Sequence, residues 1–269
     1  MKISNWEQLP DDFKFDYSQK DLELLWDELH AGDCYQYPLN LEGYDESVLK
    51  KQADAWLDYH NGDFEGAAKK GLELAEHGAV ILAKSVATYC DYLCEDEDLA
   101  LELLTDAMEF CEEAVESLPD CANAQFVNAL LIGRYSQRIS ITKALSKGLG
   151  GKVKRYLDKT LELEPNHAEA HTALGLYHSE IINKVGSMIG GLTYGAKKSI
   201  AIEHFEKSIE LTPNIPITSI EYANGLMLLE GDKASDKIYE LYEHAVNQEA
   251  KDAIQNCDIS FASDQLEEV

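Results

Sequence analysis

One short phrase recurs three times along this chain and sets the spacing of the segments around it. Each copy runs from the end of a helix-like stretch to a proline, and the copies lie at residues 114–120 (AVESLPD), 161–167 (LELEPNH) and 208–214 (SIELTPN). Their prolines are 46 and 48 residues apart. A period of this length is typical of stacked helical hairpins, none of which buries its apolar face alone. The spacing therefore predicts an all-α fold, an α-solenoid of stacked helical hairpins.

Apolar periodicity and turn residues divide the chain further. The predicted helices cover residues 47–60, 64–77, 79–93, 99–118, 218–229 and 235–248. Gly62 suits the left-handed position that ends a helix, and Asp63 can cap the helix that follows. Two such helices form each hairpin, so the sequence predicts about five hairpins.

The ends of the chain differ from its middle. Residues 1–45 are aromatic and acidic, with one helix around Trp26, and we expect them to cap the first hairpin because an exposed solenoid end needs covering. Residues 35–44 are predicted to form a loop. The repeat domain is predicted to span 46–255, and 256–269 to form a flexible tail.

Two of the hairpins are predicted to carry glycine-rich inserts. A minimal hairpin repeat has about 34 residues, so units of 46 and 48 residues hold extra chain. We place the extra residues between the paired helices, at 148–151 (GLGG) and 186–195 (GSMIGGLTYG). Apolar, glycine-rich segments are unusual as exposed loops, so their backbone is expected to pack closely on another segment or on a ligand.

Charge is distributed unevenly along the chain, whose formal net charge is −27. Residues 1–130 hold 8 Lys and Arg against 30 Asp and Glu, and 201–269 hold 4 against 15. Residues 131–200 reverse the balance, with 11 against 5. Phosphate attraction dominates nucleic-acid and anionic-membrane binding, so we expect neither kind of partner.

The cysteines and the first residues indicate a cytoplasmic protein. The six cysteines include no C-x-x-C pair, and Cys90 and Cys94 are one helical turn apart. Reduced thiols explain them better than disulfides or a metal site. The start shows no signal peptide and no stretch reaches the length of a membrane span, so we expect neither.

The region around the last two prolines resembles a tetratricopeptide repeat with an insertion. The residues on its signature positions are Ala168, Leu174, Gly175, Ala201, Phe205, Ser208 and Pro213. His171 and His178 replace the usual Trp and Tyr. Residues 133–231 are similar to two inserted-repeat families, the regulator of microtubule dynamics proteins and the T component of TRAP transporters, in a short, bacterial-looking form.

The resemblance implies a non-enzymatic helical scaffold with a ligand cavity or pore near the inserts. The groove that grips a C-terminal carboxylate in some tetratricopeptide proteins uses Lys and Asn. Thr172 and Leu176 occupy those slots here, so that docking mode is not expected.

A basic cluster around the first insert is a candidate binding site. Arg134 and Arg138 lie one turn apart, and Lys143 and Lys147 follow. Forked guanidinium donors next to bare glycine amides suit an anion or carboxylate. The alternative is a solvated basic face that pairs with neighbouring acidic helices.

Three histidines have a spacing compatible with one helix face: His167, His171 and His178. Zinc accepts such imidazoles, but no HEXXH motif is present and two of the three occupy repeat-packing positions. We therefore expect structural histidines and no metal.

The second insert is the other candidate. Met188, Gly190, Gly191 and Tyr194, with Gly150 and Gly151 of the first insert, line an apolar pocket or grip a partner in one hypothesis. In the alternative the insert is an internal plug that closes the superhelix.

These patterns favour a non-catalytic protein–protein interaction scaffold. No nucleophile elbow, phosphate-binding loop or dinucleotide fingerprint is present, and no cofactor is expected. The alternative is a small-ligand binding protein whose pocket the inserts form, with a metal-dependent enzyme third. The expected partner is an unidentified protein, with a small ligand or a homodimer as further hypotheses.

Overall fold

The computed structural model describes residues 1–41 and 45–268, except for the side chains of Asp232 and Glu268. The described chain is helical and contains no strand. Its α-helices are α1 (Gln19–Leu29), α2 (Glu46–Asn61), α3 (Phe64–Glu73), α4 (Ala79–Tyr92), α5 (Glu97–Ser117), α6 (Ala122–Gln137), α7 (Ile141–Ser146), α8 (Leu149–Leu163), α9 (Ala168–Tyr194), α10 (Lys198–Leu211), α11 (Pro216–Glu230), α12 (Ser235–Val246) and α13 (Ala253–Glu268). Short 3-10 turns cover Asp11–Phe13, Pro38–Asn40, Ala75–Gly78 and Gly231–Ala234. None of the described helices is both long enough and apolar enough to cross a membrane.

The helices pair into five stacked hairpins, which confirms the predicted all-α solenoid. The pairs are α2 with α3, α4 with α5, α6 with α8, α9 with α10, and α11 with α12. Pro119, Pro165 and Pro213 all lie in the turns between hairpins. A proline there ends one helix without disturbing the next, because its ring excludes the preceding residue from the helical region.

Local sequence explains the turn within the first hairpin. Gly62 has a φ of 96°, the left-handed conformation that glycine adopts without a steric penalty. Asp63 then accepts a hydrogen bond from the Gly66 amide at 2.9 Å and so caps α3. Both roles agree with the sequence prediction.

The fourth and fifth hairpins are held together by one aromatic side chain. Phe205 of α10 is 1% exposed. A Cβ placed on Gly175 of α9 would lie 2.6 Å from its ring, and one on Gly225 of α11 would lie 2.4 Å away. The ring therefore fills the space that two glycines leave, and the three helices approach one another closely.

The inserts are more helical than the sequence indicated. In the first, the extra residues form the short helix α7, while Gly150 and Gly151 belong to the first turn of α8. In the second, α9 continues to Tyr194 across a kink at Gly186, whose φ is 81°. Backbone hydrogen bonding explains the difference, since short apolar segments that pack on a helix satisfy their amides best by becoming helical.

The N-terminal segment packs on the first two hairpins. Trp26 of α1 meets Trp56 of α2 edge to face, with ring centroids 5.9 Å apart, and Trp6 stacks on Tyr89 of α4 at 4.2 Å. Residues 35–41 of the predicted loop include one 3-10 turn, and residues 42–44 lie outside the described residues. The cap is therefore an aromatic packing layer.

The C-terminal segment was expected to be a flexible tail from residue 256, and that prediction is wrong for the described residues. It forms α13, in which Cys257 is 4% exposed and Ala262 is fully buried. The helix packs on α11 and α12 of the last hairpin and on α2 of the first. Asn256 donates to the carbonyl of Phe13 in the N-terminal segment at 3.0 Å, and just before the helix the Lys251 carbonyl accepts a hydrogen bond from Tyr17 at 2.7 Å. The stack of hairpins thus closes on itself.

Candidate functional site: a cavity on the concave face

The concave side of the stack encloses a cavity of about 300 Å³. The first helices of the hairpins, α2, α4, α6, α9 and α11, form its wall. The inserts and α13 contribute residues at its edges. The inner helices of a helical solenoid supply its usual binding surface.

The first insert and the helices beside it form the apolar half of the cavity. Its main side chains are Leu130, Ile141, Leu145, Val153, Leu176 and Ile181. Two of them remain partly open to solvent: Ile141 is 45% exposed and Leu145 43%. The apolar half therefore reaches the surface next to α7.

The opposite half of the cavity is built on a buried lysine. Lys84 of α4 donates to Asp33 at 2.7 Å and to the two oxygens of Glu169 at 2.8 and 3.0 Å. The side chain of Asp33 is 1% exposed and that of Lys84 11%. Burial acts to raise the pKa of Asp33, but His30 and Lys84 outweigh it and hold that pKa far below its usual range, while burial raises the pKa of Glu169. The ammonium thus joins the N-terminal cap to α9.

Two histidines extend this group toward α13. His30 hydrogen-bonds Asp33 through Nδ1 at 2.9 Å, and its Nε2 lies 3.2 Å from Nε2 of His60. His60 contacts the carboxylate of Asp252 through Nδ1 at 2.8 Å. Burial lowers the pKa of His30 to about 4, so its ring is neutral near pH 7.

A second cation, with 22% of its side chain exposed, lies on α6. Arg134 approaches Asp91 of α4 with its Nε at 2.8 Å and donates from Nη2 to Glu221 of α11 at 3.2 Å. Asp91 holds the pKa of Arg134 above its usual value, against the effect of burial. The guanidinium therefore links three inner helices across the cavity wall.

A buried carboxyl group, Asp258 of α13, faces this arginine group. Asp258 is 2% exposed and accepts a hydrogen bond from the Tyr92 hydroxyl of α4. Burial raises the pKa of Asp258 to about 8, with further contributions from the neighbouring Asp252 and Glu221, whereas Tyr92 and Arg134 act in the opposite direction. Near pH 7 this carboxyl therefore holds a proton, and it docks α13 on α4 as a neutral group.

We expect Asp258→Asn to stabilise the protein at pH 8 by at least about 1.4 kcal/mol, the value of a single pKa unit, because the pKa of Asp258 in the folded state, about 8, lies several units above that of an exposed aspartate. The folded state holds a proton on Asp258 that the unfolded chain has released, so the wild-type contribution is full below pH 4 and is lost as pH rises through 8. Asparagine is neutral and keeps the acceptor for Tyr92. Urea unfolding of both proteins from pH 5 to 8.5 should show the gain growing with pH. A gain in stability that is absent or independent of pH would contradict the raised pKa of Asp258 in the folded state.

The predicted basic cluster separates into two pairs. Arg134 and Arg138 are both neutralised within the fold, and Arg138 donates to Glu97 at 3.0 Å and contacts Asp91. Lys143 of α7 and Lys147, which caps the end of α7, instead lie over the ring of Tyr135, 6.0 and 5.5 Å from its centroid. In the described part of the chain, neither of these lysines has a carboxylate within 4 Å. Of these four residues, only the two lysines have a positive charge that is not paired with a carboxylate of the described residues, so only they offer it to a partner.

The glycines of the two inserts meet at one side chain. A Cβ on Gly150 would lie 3.4 Å from Ile181, and one on Gly190 would lie 3.2 Å from it. Gly191 lies behind Gly190 against the Ala196 carbonyl, and Gly151 has open space beside it and lines a second groove rather than the cavity. The structure thus brings Gly150 and Gly190 together and separates Gly151 from the cavity.

The large residues of the second insert point in different directions. Tyr194 lines the cavity, and its carbonyl accepts a hydrogen bond from Tyr177 at 3.3 Å. Met188 is 77% exposed. The insert therefore forms part of the cavity wall and also presents an apolar outer surface.

Of the three histidines of the predicted set, His167 has partners of its own, whereas His171 and His178 both contact His204. His167 accepts a hydrogen bond from the Ala170 amide and contacts Asn123, whereas His171 pairs with His204 at 2.8 Å. His178 stacks on His204. Within residues 1–41 and 45–268, no three His, Cys, Asp or Glu side chains are grouped as metal ligands. All six cysteines are free.

Sequence reasoning missed the polar half of the cavity. A usable signal was present: Lys84 is the one charged residue of the apolar run 79–90. A lysine inside such a run is rarely buried without an anionic partner. Its partners lie 51 and 85 residues away, so local spacing does not reveal them.

Stacked hairpins around a concave cavity define a tetratricopeptide-like helical repeat protein. A solved structure of a thermophilic tetratricopeptide protein from Thermus thermophilus is similar, with a TM-score of 0.57 and 15% identity, covering 80% of this chain and 98% of that one. The family model of regulator of microtubule dynamics protein 1-3 matches residues 49–253, and the chain belongs to that family. Comparison with curated proteins finds no match. The resemblance to transporter T components stays a prediction.

Proposed function

We propose that this protein is a non-catalytic scaffold whose concave cavity binds a segment of a partner protein. The observation that carries the proposal is the cavity itself, whose apolar half is open beside α7 while its polar half is satisfied internally. An extended or helical peptide that enters a solenoid groove buries apolar side chains and keeps its ends in solvent.

The polar half supports the same function by keeping the wall rigid. Lys84 and Arg134 each tie separate parts of the wall together through two carboxylates. A preorganised groove loses little conformational entropy on binding, which favours affinity. The six free cysteines support the proposed reducing, cytoplasmic location.

Filling the cavity is expected to weaken partner binding at least tenfold. Gly133 of α6 lines the cavity, and a Cβ on it would meet no atom within 4 Å. Gly133→Trp therefore places an indole in the open space without displacing the wall. For a partner recovered by affinity capture and then purified, calorimetry should show at least a tenfold weaker Kd for this variant, a loss of about 1.4 kcal/mol.

Gly151→Trp is the matched control, because Gly151 is also helical and also has open space beside it, but lies outside the cavity. Its Kd should stay within about twofold of wild type. Equal affinity of all three proteins would place the partner elsewhere. If instead a small molecule is the occupant, native mass spectrometry of the purified protein should show a bound mass that Gly133→Trp removes.

A further inference from the structure

The second insert ends in a helix whose outer face is more apolar than its inner face. Residues 187–194 read SMIGGLTY and contain no charge. Gly190 is buried, whereas Met188, Ile189 and Leu192 are 77, 56 and 86% exposed. A surface helix normally presents polar side chains to solvent. This inverted arrangement marks an interaction surface, since monomeric proteins rarely expose several large apolar side chains together.

The helix is held firmly in this orientation. Its inner glycine packs on Ile181, and the Gly190 carbonyl accepts a hydrogen bond from the Ala196 amide at 3.0 Å. The bond from Tyr177 to the Tyr194 carbonyl fixes its last turn. A larger residue at position 190 would push the helix away from Ile181. The inward side of the helix is therefore limited to small residues, and its large apolar residues lie on the outward side.

The surface is continuous with the cavity. Ile181, Val185 and Tyr194 of α9 line the cavity, and Ile141 and Leu145 of α7 line the same cavity while remaining about 45% exposed. A segment that leaves the cavity past these residues therefore meets apolar side chains on both inserts. We call Ile141, Leu145, Met188, Ile189 and Leu192 the insert face.

The charge beside the insert face selects the kind of partner. Lys143 lies in α7 and Lys147 at its end, beside two residues of the insert face, and neither lysine has a neutralising carboxylate among the described residues. Lys197 is exposed three residues beyond the end of α9. The field of an exposed charge is largely screened beyond about 8 Å at physiological salt. These nearby lysines therefore set the electrostatic potential at the insert face, although the chain as a whole is acidic.

We infer that the partner segment is an acidic amphipathic helix, whose apolar side covers the insert face and whose carboxylates meet Lys143 and Lys147. This inference rests on the proposed function, because the same segment continues into the cavity. Apolar burial supplies most of the affinity and charge complementarity supplies specificity.

Two synthetic peptides of about five helical turns test this directly. They share one leucine face, and their polar faces carry only glutamate or only lysine. Fluorescence anisotropy with the full chain should show binding of the glutamate peptide at least tenfold tighter than that of the lysine peptide. The Lys143→Glu, Lys147→Glu double variant should remove this preference, and Leu192→Asp should weaken the glutamate peptide about tenfold.

Matched controls are available elsewhere on the chain. Lys50→Glu, Lys51→Glu changes the net charge equally on exposed α2 positions, and Leu24→Asp alters a side chain that is 76% exposed on α1. Both should bind the glutamate peptide as wild type does. Absence of binding, equal binding of the two peptides, or equal effects of the controls would overturn the inference.

The same variants distinguish a partner helix from two other occupants of the insert face, a membrane and a second copy of this chain. Sedimentation with phosphatidylserine-containing vesicles that depends on Leu192, without peptide binding, would assign the face to membrane and overturn the inference. A dimer in sedimentation velocity that Leu192→Asp dissociates would assign it to a second copy and do the same. Loss of partner binding in Gly133→Trp, with no peptide preference, would leave the proposed function standing and remove only this inference.

Discussion

Lys84→Met is expected to lower the free energy of unfolding by about 3–5 kcal/mol, the usual cost of breaking a buried ion pair by removing one partner. Methionine keeps the length of the side chain but leaves Asp33, which is 1% exposed, and Glu169 facing each other without a cation. The two carboxylates then repel, and Asp33 retains His30 and the Tyr35 amide as partners but no cation close enough to replace the ammonium. Urea unfolding at pH 7, followed by circular dichroism, measures the loss.

The control for this variant is Lys237→Met, which removes an exposed pair with Glu240. Exposed pairs contribute about 0–1 kcal/mol, so its effect should be small. Adding Glu169→Gln to Lys84→Met should recover part of the loss, because one of the two unpaired carboxylates is gone. Equal stability of Lys84→Met and Lys237→Met would mean that the cavity wall does not depend on the buried lysine.

Phe205→Ala is expected to cost about 3–5 kcal/mol, the range for removing a buried phenylalanine ring. The ring lies between Gly175 and Gly225. Glycine has no side chain that could rotate into the space that the ring leaves. A cavity therefore remains between α9, α10 and α11. Thermal and urea unfolding should both show the loss.

A double-mutant cycle gives this prediction a sharper test. Gly225→Ala alone should destabilise by about 1–3 kcal/mol through overpacking, since its Cβ would lie 2.4 Å from the ring. In the Phe205→Ala background the same methyl enters the vacated space, so its cost should fall or change sign. Gly133→Ala, which meets no neighbour, should instead stabilise by up to about 1 kcal/mol. Additive costs at 205 and 225 would show that the two positions do not share one packing space.

The repeat could be predicted from sequence because its determinants are local. Pro119, Pro165 and Pro213 mark the turns between hairpins, and Gly62 with Asp63 marks a turn within one. Each of these residues acts within a few positions of itself, through fixed backbone angles or a capping hydrogen bond. The five hairpins follow from such signals.

The C-terminal helix could not be predicted in this way. Its buried apolar residues are Ala253, Cys257 and Ala262, which are too small and too widely spaced to form a strong apolar stripe. Its docking depends on Asp252 with His60 and on Asp258 with Tyr92, pairs that are 192 and 166 residues apart. Polar partners at that separation appear only once the solenoid has closed.

The candidate site likewise has one part that local sequence reveals and another that depends on residues far apart in the chain. The inserts were recognised because glycine-rich apolar segments are unusual, and the structure places Gly150, Gly190 and Tyr194 together beside the cavity. The arginines were recognised as a cluster, but their neutralisation by Asp91 and Glu221 depends on helices that sequence spacing does not bring together. Membership of the regulator of microtubule dynamics family extends over these segments.

Site-specific photo-cross-linking tests most directly whether the concave cavity binds the partner segment. Benzoylphenylalanine at position 133 lies inside the cavity, and the same residue at position 151 lies outside it. With the purified partner and ultraviolet light, we expect a covalent adduct from position 133 that excess unlabelled partner segment suppresses, and no such adduct from position 151. An adduct from position 151 alone, or equal yields from the two positions, would contradict the proposed site.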